Sequence, residues 1–446
     1  MVVGLLLLQL LLCGMILQQE VVRYRCRNYA TSVFFAVYSV VYVIEPLVLH
    51  TVFGGARSIV VGRGFYVGDP LVYYVFSTYG IALLVTNLLL GRVRGGVATA
   101  VPGFGGRERG GRSQASCLAL GVLGGVGLFV WSTGMSLSSL VSASRFAWFG
   151  EGSRSLLWLT VSGYFIALSC AYVYYAKVCG TPNRWLLLLC LGSLVVHGII
   201  TKDRKWIIFV VSGWLAARYD LSGRRLWFGR RALWSLGALF LLLVSSGFVR
   251  DVLFRYSVGE HVDFATEIVD SQSNSWELGD ISYFYRSSLE AIHQNIDNGL
   301  VVPLALPRRV LLFFLPARYS GGLKVEDISA TFSDVVDGGD ALRRGNMPPG
   351  LFGLFVVSFG WLASFVAIPA LALGLKKLDS LFRVGQGAMR NSALALYLFS
   401  VVLAFRGDDS SALYYVISTA MFVGLTGLVG RPRGGSVRIA SGVDAT

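Results

Sequence analysis

The chain has 446 residues, of which 54% are apolar and 14% are charged, with a mean hydropathy of +0.64. A soluble domain carries about 25% charged residues, so this composition excludes an ordinary soluble protein. The formal net charge is +14, but the basic residues are dispersed through short segments between apolar runs and form no nucleic-acid-binding patch. The sequence therefore predicts an all-α membrane protein, because helices satisfy every backbone hydrogen bond within lipid.

Eleven apolar runs follow one another, most of them near the roughly 20 residues that cross a bilayer. The predicted spans are Val2–Leu17, Ala30–His50, Leu71–Gly91, Cys117–Ser136, Leu156–Ala176, Trp185–Ile200, Trp206–Ala217, Ala232–Phe248, Leu351–Leu375, Ser392–Phe405 and Leu413–Gly430. The first run lacks the basic start and cleavage site of a signal peptide, so we expect a retained helix. Runs six, seven and ten are short, and such a run suits a tilted, broken or protein-buried helix as well as it suits a full span.

Lysine and arginine predict the orientation, since short loops rich in them stay in the cytoplasm. One alternating set of loops holds 22 of the 39 basic residues, which places this set in the cytoplasm. The polar segment 250–350 holds nine basic and 14 acidic residues and is expected outside. The predicted organisation is eight helices in residues 1–249, a large extracytoplasmic loop in 250–350, three helices in 351–430 and a cytoplasmic tail in 431–446.

Several chemistries are not supported by the sequence. The six cysteines all fall in predicted spans or cytoplasmic loops, so no structural disulfide is expected. The four histidines are far apart and have no zinc-ligand spacing. No Walker loop is present, so ATP is not expected to supply energy. We expect neither a metal nor another cofactor.

Arginines on the predicted outer face run against the positive-inside rule, and such exceptions often mark function. A guanidinium matches phosphate with a fork of donors, so several converging arginines would bind a pyrophosphate headgroup. The alternative for each one is pairing with an acid of the outer loop. Three stand out by position, and anchoring of a helix end is the alternative for each: Arg204 in a tight polar turn, Arg406 directly after a span, and Arg154 at the entry to the fifth span.

The segment from Tyr283 to His293 has apolar and aromatic residues near helical spacing, which predicts a helix lying along the membrane. Arg286, Glu290 and His293 would share one face and could meet one ligand. The alternative is an exposed Glu–Arg pair beside a solvated histidine, worth about 0.3–0.5 kcal/mol.

Two further features, an apolar patch and a single carboxyl group, stand out because of the residues next to them in the sequence. The apolar patch Val310–Leu315 lies between two arginine-containing stretches and predicts either a re-entrant segment or the core of a buried loop. Glu45 is the main charge within the predicted spans, and Pro46 beside it predicts a kinked helix with a buried, hydrogen-bonded carboxyl group.

Five short sequence motifs, taken together in their order along the chain, resemble those of the bacterial oligosaccharide repeat-unit polymerases. These are the Wzy-type O-antigen and capsule polymerases, which are distantly related to O-antigen ligases. The resemblance covers roughly residues 186–430, and its sequence elements are Asp203-Arg204 in a turn, then Asp280, Tyr283 and Arg286 in a long outer loop, Pro307-Arg308 with Pro316-Ala317-Arg318, Met347-Pro348-Pro349-Gly350 with Phe359-Gly360, and Arg406-Gly407-Asp408. This chain departs from many relatives in reading Lys-Asp-Arg-Lys at the turn, and eleven spans is low for the family.

The resemblance implies a GT-C-like glycosyltransferase of the bacterial cytoplasmic membrane with its active site outside. Polyprenyl-pyrophosphate-linked glycans would be donor and acceptor, and further expected partners are membrane lipid, a chain-length regulator and a flippase. The leaving pyrophosphate would be held by Arg204, Arg318 and Arg406, with Arg286 and Arg154 in reserve, and the general base would be Asp280 or His293. Transfer would invert the anomeric centre without a metal.

Two other functions remain open from the sequence. A ligase-like transferase would share the fold and the donor but use another acceptor. A lipid-linked oligosaccharide flippase or other transporter would place charges inside a central cavity, whereas the predicted spans are nearly uncharged apart from Glu45. The long outer loop favours an enzyme.

Overall fold

The fold was determined as a computed structural model. It describes residues 1–23, 28–52, 69–93, 280–312, 320, 322–323, 328–337 and 348–384, together with positions 185, 188–189, 192–193, 394, 397, 400–401 and 403–407. These residues form helices and turns and contain no strand, so the all-α prediction is confirmed for them.

Nine α-helices make up the described part. They are α1 Val2–Gln18, α2 Tyr29–Ser39, α3 Glu45–Val52, α4 Pro70–Val93, α5 Asp280–Asn298, α6 Ala305–Leu312, α7 Ile328–Asp337, α8 Gly350–Phe359 and α9 Trp361–Val384. Two π-helical turns, Gln19–Arg23 and Val40–Ile44, continue α1 and join α2 to α3. The described positions between 394 and 406 are helical as well.

Within the described residues, three helices are long and apolar enough to cross a membrane: Tyr29–Thr51, Pro70–Gly91 and Trp361–Ser380. They fall on the second, third and ninth predicted spans. The first predicted span corresponds to α1, a shorter apolar helix. Spans four, five, seven, eight and eleven lie outside the described residues, and the sixth is described only at five positions.

The bundle is built around an aromatic core. Helix α4 packs against α1 and α9, and α2 packs against both α1 and α9. Tyr42 lies at the centre, with ring centroids 5.2 Å from Phe76, 5.0 Å from Phe352 and 5.2 Å from Phe405. These rings come from four separate segments of the chain. Their burial therefore fixes the second π turn, α4, α8 and the helix ending at Arg406 against one another.

The ninth predicted span is wrong as a single helix, because the chain breaks at Gly360 between α8 and α9. Gly360 has φ +80°, a conformation open to glycine but strained for other residues. The break is stabilised from α5: the Asn295 side chain accepts a hydrogen bond from Trp361 N at 2.8 Å and donates one to Leu300 O at 2.6 Å. This linkage fixes the end of α5 against the junction.

One end of the bundle, here called the Asp379 end, is where α2 begins and α9 finishes. Asp379 is 1% exposed, and its Oδ1 accepts hydrogen bonds from Ala30 N at 2.7 Å and Thr31 N at 3.3 Å. Its Oδ2 accepts one from Thr31 Oγ1 at 2.5 Å. Nearby, Glu20 Oε1 accepts a hydrogen bond from Asn28 at 3.1 Å and lies 3.6 Å from Lys376 Nζ. A carboxylate from α9 thus caps the N-terminus of α2.

Candidate functional site

The opposite end of the bundle, the Arg286 end, is where α3 finishes, α4 and α8 begin, and α5 docks. Helix α5 packs against α8, α4, α3 and the second π turn. The helix predicted between Tyr283 and His293 is present, since α5 spans Asp280–Asn298, and its placement along a membrane stays a prediction. Its side chains from Phe284 to Ile292 are buried. The segment is therefore part of the protein core at this end of the bundle.

Arg286 is the most unusual residue of this end. It is 3% exposed, and its Nε makes no hydrogen bond within the described residues. Burying an unpaired cation costs several kcal/mol, so an arginine in this position needs negative charge or a strong acceptor nearby. Glu290, one turn further along α5, is also 3% exposed and accepts a hydrogen bond from Gln294 at 2.8 Å. The interpretation of Arg286 and Glu290 as an exposed pair is therefore wrong.

Glu45 supplies negative charge close to Arg286. The two groups interact electrostatically. The local backbone explains the position of Glu45: its N–H donates to Val40 O across a π-helical turn, and the next residue, Pro46, has no N–H to donate. π turns often occur at functional sites because they redirect side chains. The Oε2 atom of Glu45 is buried and receives no hydrogen bond from the described part of the chain.

Aromatic side chains surround this pair. His50 Nε2 lies 3.3 Å from the Tyr285 hydroxyl, and the His50 ring meets Tyr73 edge-on with centroids 5.3 Å apart. Tyr285 also packs edge-on against Phe76 at 5.0 Å. Burial raises the pKa of Tyr285 well above its ordinary value of 10, so the phenol stays neutral. The surroundings are thus weakly polar, and such surroundings strengthen any charge–charge or charge–ligand interaction.

Tyr42 fixes α5 to the rest of this end. Its hydroxyl accepts a hydrogen bond from Leu351 N at 2.9 Å and shares another with Ser288 Oγ at 2.8 Å. Ser288 Oγ in turn donates to Phe284 O at 3.0 Å. The three groups join the second π turn, α8 and α5. Their hydrogen bonds set the position of Arg286, which lies half a turn from Ser288 on the same helix.

Arg406 reaches the same end of the bundle through a glycine contact. The backbone at Gly407 lies so close to Gly350 that a Cβ on Gly407 would meet Gly350 N, O and Cα. A Cβ on Gly350 would in turn meet Ser288 Oγ and Phe284 O. Arg406 therefore ends its helix beside the first turns of α5 and α8. Its side chain is exposed, unlike that of Arg286.

Of the other predicted site residues, some lie on α5 and some lie outside the described residues. Asp280 is the first residue of α5. His293 lies on α5 with its Nδ1 3.1 Å from Asp297 Oδ2. Arg154, Arg204 and Arg318 lie outside the described residues. Of the predicted arginines, the structure thus brings Arg286 and Arg406 to one end of the bundle.

The patch Val310–Leu315 is described only in part. Helix α6 covers Ala305–Leu312 and includes Pro307. Arg308 donates from Nε and Nη2 to Leu323 O at 2.9 and 2.6 Å, so it binds the loop that follows.

Sequence reasoning did not connect Glu45 to this site. It treated Glu45 as an isolated intramembrane carboxyl group, because 241 positions separate it from Arg286. The second π turn, Val40–Ile44, lies directly before Glu45 and Pro46, and the predicted kink stays a prediction. The predicted hydrogen-bonded carboxyl was wrong for Oε2, which has no partner in the described part of the protein.

No family model, curated protein or solved structure matches this chain. Within the described ranges, no three His, Cys, Asp or Glu side chains are grouped so that they could hold a metal ion.

Proposed function

We propose that the protein is a GT-C-like glycosyltransferase of the bacterial cytoplasmic membrane. It would join polyprenyl-pyrophosphate-linked oligosaccharide repeat units into a surface polysaccharide on the extracytoplasmic face. The full fold would comprise about eleven spans with one large outer loop. Support comes from the positive-inside charge pattern, the order of the five motifs, and the membrane-length helices on which α5 is packed.

The observation that carries the proposal is the arginine pair at the Arg286 end. Arg286 and Arg406 are 120 positions apart in the chain and lie at the same end of the bundle. The orientation predicted from lysine and arginine would make this end extracytoplasmic. There, lipid-linked pyrophosphate would lie at the membrane boundary, where guanidinium groups match its geometry and charge.

The chemistry needs two groups. Negative charge develops on the departing lipid pyrophosphate, and arginines stabilise it without a metal. The acceptor hydroxyl must lose its proton as it attacks the anomeric carbon. Because the leaving group departs readily, one displacement suffices, and the anomeric configuration inverts. The clamp would comprise Arg204, Arg318 and Arg406, with Arg286 and Arg154 in reserve, and Asp280 or His293 remain candidate bases.

A lipid-linked oligosaccharide flippase is the second candidate. It is favoured by one observation, the Glu45 carboxylate inside a membrane-length helix and close to a buried arginine. Charged groups at such positions often line substrate or ion pathways. A ligase-like transferase would differ only in its acceptor, so product analysis separates it from a polymerase.

Deletion of the gene tests these alternatives. A polymerase predicts that single lipid-linked repeats accumulate on the outer face, a ligase predicts that lipid-linked polymer accumulates, and a flippase predicts that single repeats stay inside. Complementation with Arg286→Lys should lower polymer formation at least about tenfold, equivalent to ~1.4 kcal/mol, because lysine loses the fork of donors.

Lys377→Arg is the control that keeps the charge, since Lys377 is an exposed cation on α9 at the opposite, Asp379 end of the bundle. We expect it to stay within about twofold of wild type, in line with most substitutions away from a site. Normal polymer in the deletion strain would contradict the proposal.

A further inference from the structure

The Arg286 end holds a donor and an acceptor that are both unused, on two side chains that interact electrostatically. Arg286 Nε can donate one hydrogen bond, and Glu45 Oε2 can accept one, yet neither has a partner among the described residues. Arg286 is 97% buried, its relative exposure being 3%. Buried polar atoms are nearly always bonded, so such exceptions call for an explanation.

A purely structural ion pair would use these atoms on each other. Arginine and carboxylate groups that meet for stability form short, often double hydrogen bonds. The neighbouring polar groups follow that rule: Tyr42, Ser288 and His50 each have a partner at this end. The open Nε and Oε2 atoms therefore distinguish the Glu45–Arg286 pair from the structural bonds around it.

The chemical group that fits one free donor and one free acceptor is a hydroxyl. Its proton is donated to a carboxylate oxygen, and its lone pair accepts from an N–H. At these two atoms a pyrophosphate would be repelled by the Glu45 carboxylate, so Arg286, a reserve member of the clamp above, is assigned here to a hydroxyl instead. An exposed arginine, such as Arg406 at the same end, suits a pyrophosphate better.

We propose that Glu45 and Arg286 bind the attacking hydroxyl of the acceptor glycan, with Glu45 as the general base and Arg286 holding the oxygen. This inference rests on the proposed glycosyl transfer and names a base other than Asp280 or His293. His293 is less suitable because its Nδ1 faces Asp297 at 3.1 Å.

Glycosyl transfer with Glu45 as the base needs no reactant other than the donor, the acceptor and water. The acceptor O–H bond breaks and its proton moves to the Glu45 carboxylate. The oxygen lone pair forms the new bond to the anomeric carbon of the donor. The bond from that carbon to the pyrophosphate oxygen breaks, and its electron pair leaves with the lipid pyrophosphate. Glu45 afterwards releases the proton to water, which restores the carboxylate.

The closing experiment uses the full-length protein in liposomes with lipid-linked single repeats. Glu45→Gln keeps the size but cannot accept the proton, so the rate per molecule should fall at least about 100-fold. Glu45→Asp, which keeps the carboxylate on a shorter stem, should recover part of that loss. The control is Asp334→Asn, an exposed carboxylate on α7, which should stay within about twofold of wild type.

The pH profile separates catalysis from structure. The wild-type rate should rise with pH as Glu45 loses its proton, and Glu45→Gln should abolish that rise. Among the described residues, the other titratable or charged groups near this position are His50 on α3, Tyr73 on α4, and Tyr285 and Arg286 on α5. His50→Gln should therefore leave the limb assigned to Glu45 in place.

Each outcome decides the inference. If the wild type polymerises and Glu45→Gln keeps a near-normal rate with an unchanged pH profile, the hydroxyl site is overturned and the proposed function stands. Absence of any polymerisation by wild type would overturn the proposed function with it. Loss of folding in both the Gln and Asp variants, judged by thermal denaturation in detergent, would show a structural ion pair instead.

Discussion

Asp379 caps the N-terminus of α2 from α9, and replacing it tests directly how much this contact stabilises the bundle. Asn28, at the N-cap position of α2, makes no capping hydrogen bond with its side chain. The carboxylate of Asp379 replaces it from α9 and takes three bonds, from Ala30 N, Thr31 N and Thr31 Oγ1. Asp379→Ala removes all three acceptor contacts and leaves two N–H groups and one hydroxyl without this partner.

The expected loss follows from these bonds. A missing cap costs about 1 kcal/mol, and a buried hydrogen bond to a charged group is worth about 1.5–3 kcal/mol. We therefore expect Asp379→Ala to lower the free energy of unfolding by about 2.5–4 kcal/mol. Asp379→Asn keeps one neutral acceptor oxygen, so its loss should be about half as large.

Titration with SDS in mixed micelles, followed by tryptophan fluorescence, measures this free energy. Ser380→Ala is the control on the same helix, because Ser380 is half-buried and donates a hydrogen bond to Lys377 O within α9. It should change stability by less than about 0.5 kcal/mol. An Asp379→Ala loss no larger than that of the control would refute the cap, as would an Asn variant less stable than the Ala variant.

Four further predictions address charge, topology and chemistry. Burial raises the pKa of Glu20 from 4.5 to about 7, with Lys376 acting in the opposite direction. The folded state therefore binds this proton more tightly than the unfolded state, and stability should fall as pH rises from about 4.5 to about 7; Glu20→Gln should weaken this dependence when unfolding is measured across that range. Cysteines placed at Ser271–Ser275 should react with an impermeant thiol reagent in intact cells, whereas cysteine at Gly105 should not; the reverse pattern would overturn the orientation. Activity should persist in EDTA, and a loss restored by a divalent ion would shift attention to the acids of the outer segment. Arg204→Lys should insert normally but reduce polymer at least about tenfold, ~1.4 kcal/mol, and normal polymer would make Arg204 a membrane anchor.

The sequence predicted what depends on local pattern. The second and third predicted spans match helices with similar ends because a continuous apolar run of sufficient length determines both. Helix α5 was predicted from its spacing although it lies in a polar segment. A change of helix geometry near Pro46 could be expected because proline removes a backbone donor, which is a property of one residue, and a π turn does precede it.

Features that depend on distant residues were not predictable from these patterns. The break at Gly360 interrupts an apolar run that reads as one span, and it is stabilised by Asn295 from another helix. The approach of Glu45 to Arg286 joins residues 241 positions apart, and neither has a local signal that names the other. Burial of Arg286 and Glu290 on α5 also depends on packing against α8, so the sequence allowed an exposed helix as an equal alternative.

The most direct test of the account is the product of the purified full-length protein in liposomes that contain polyprenyl-pyrophosphate-linked single repeats. The account predicts a ladder of longer lipid-linked glycans, with one polyprenyl pyrophosphate released for each glycosidic bond formed. It also predicts inversion at the new anomeric centre, read by NMR. Folded protein that moves the single repeats across the bilayer and forms neither product would contradict the account and establish a transporter.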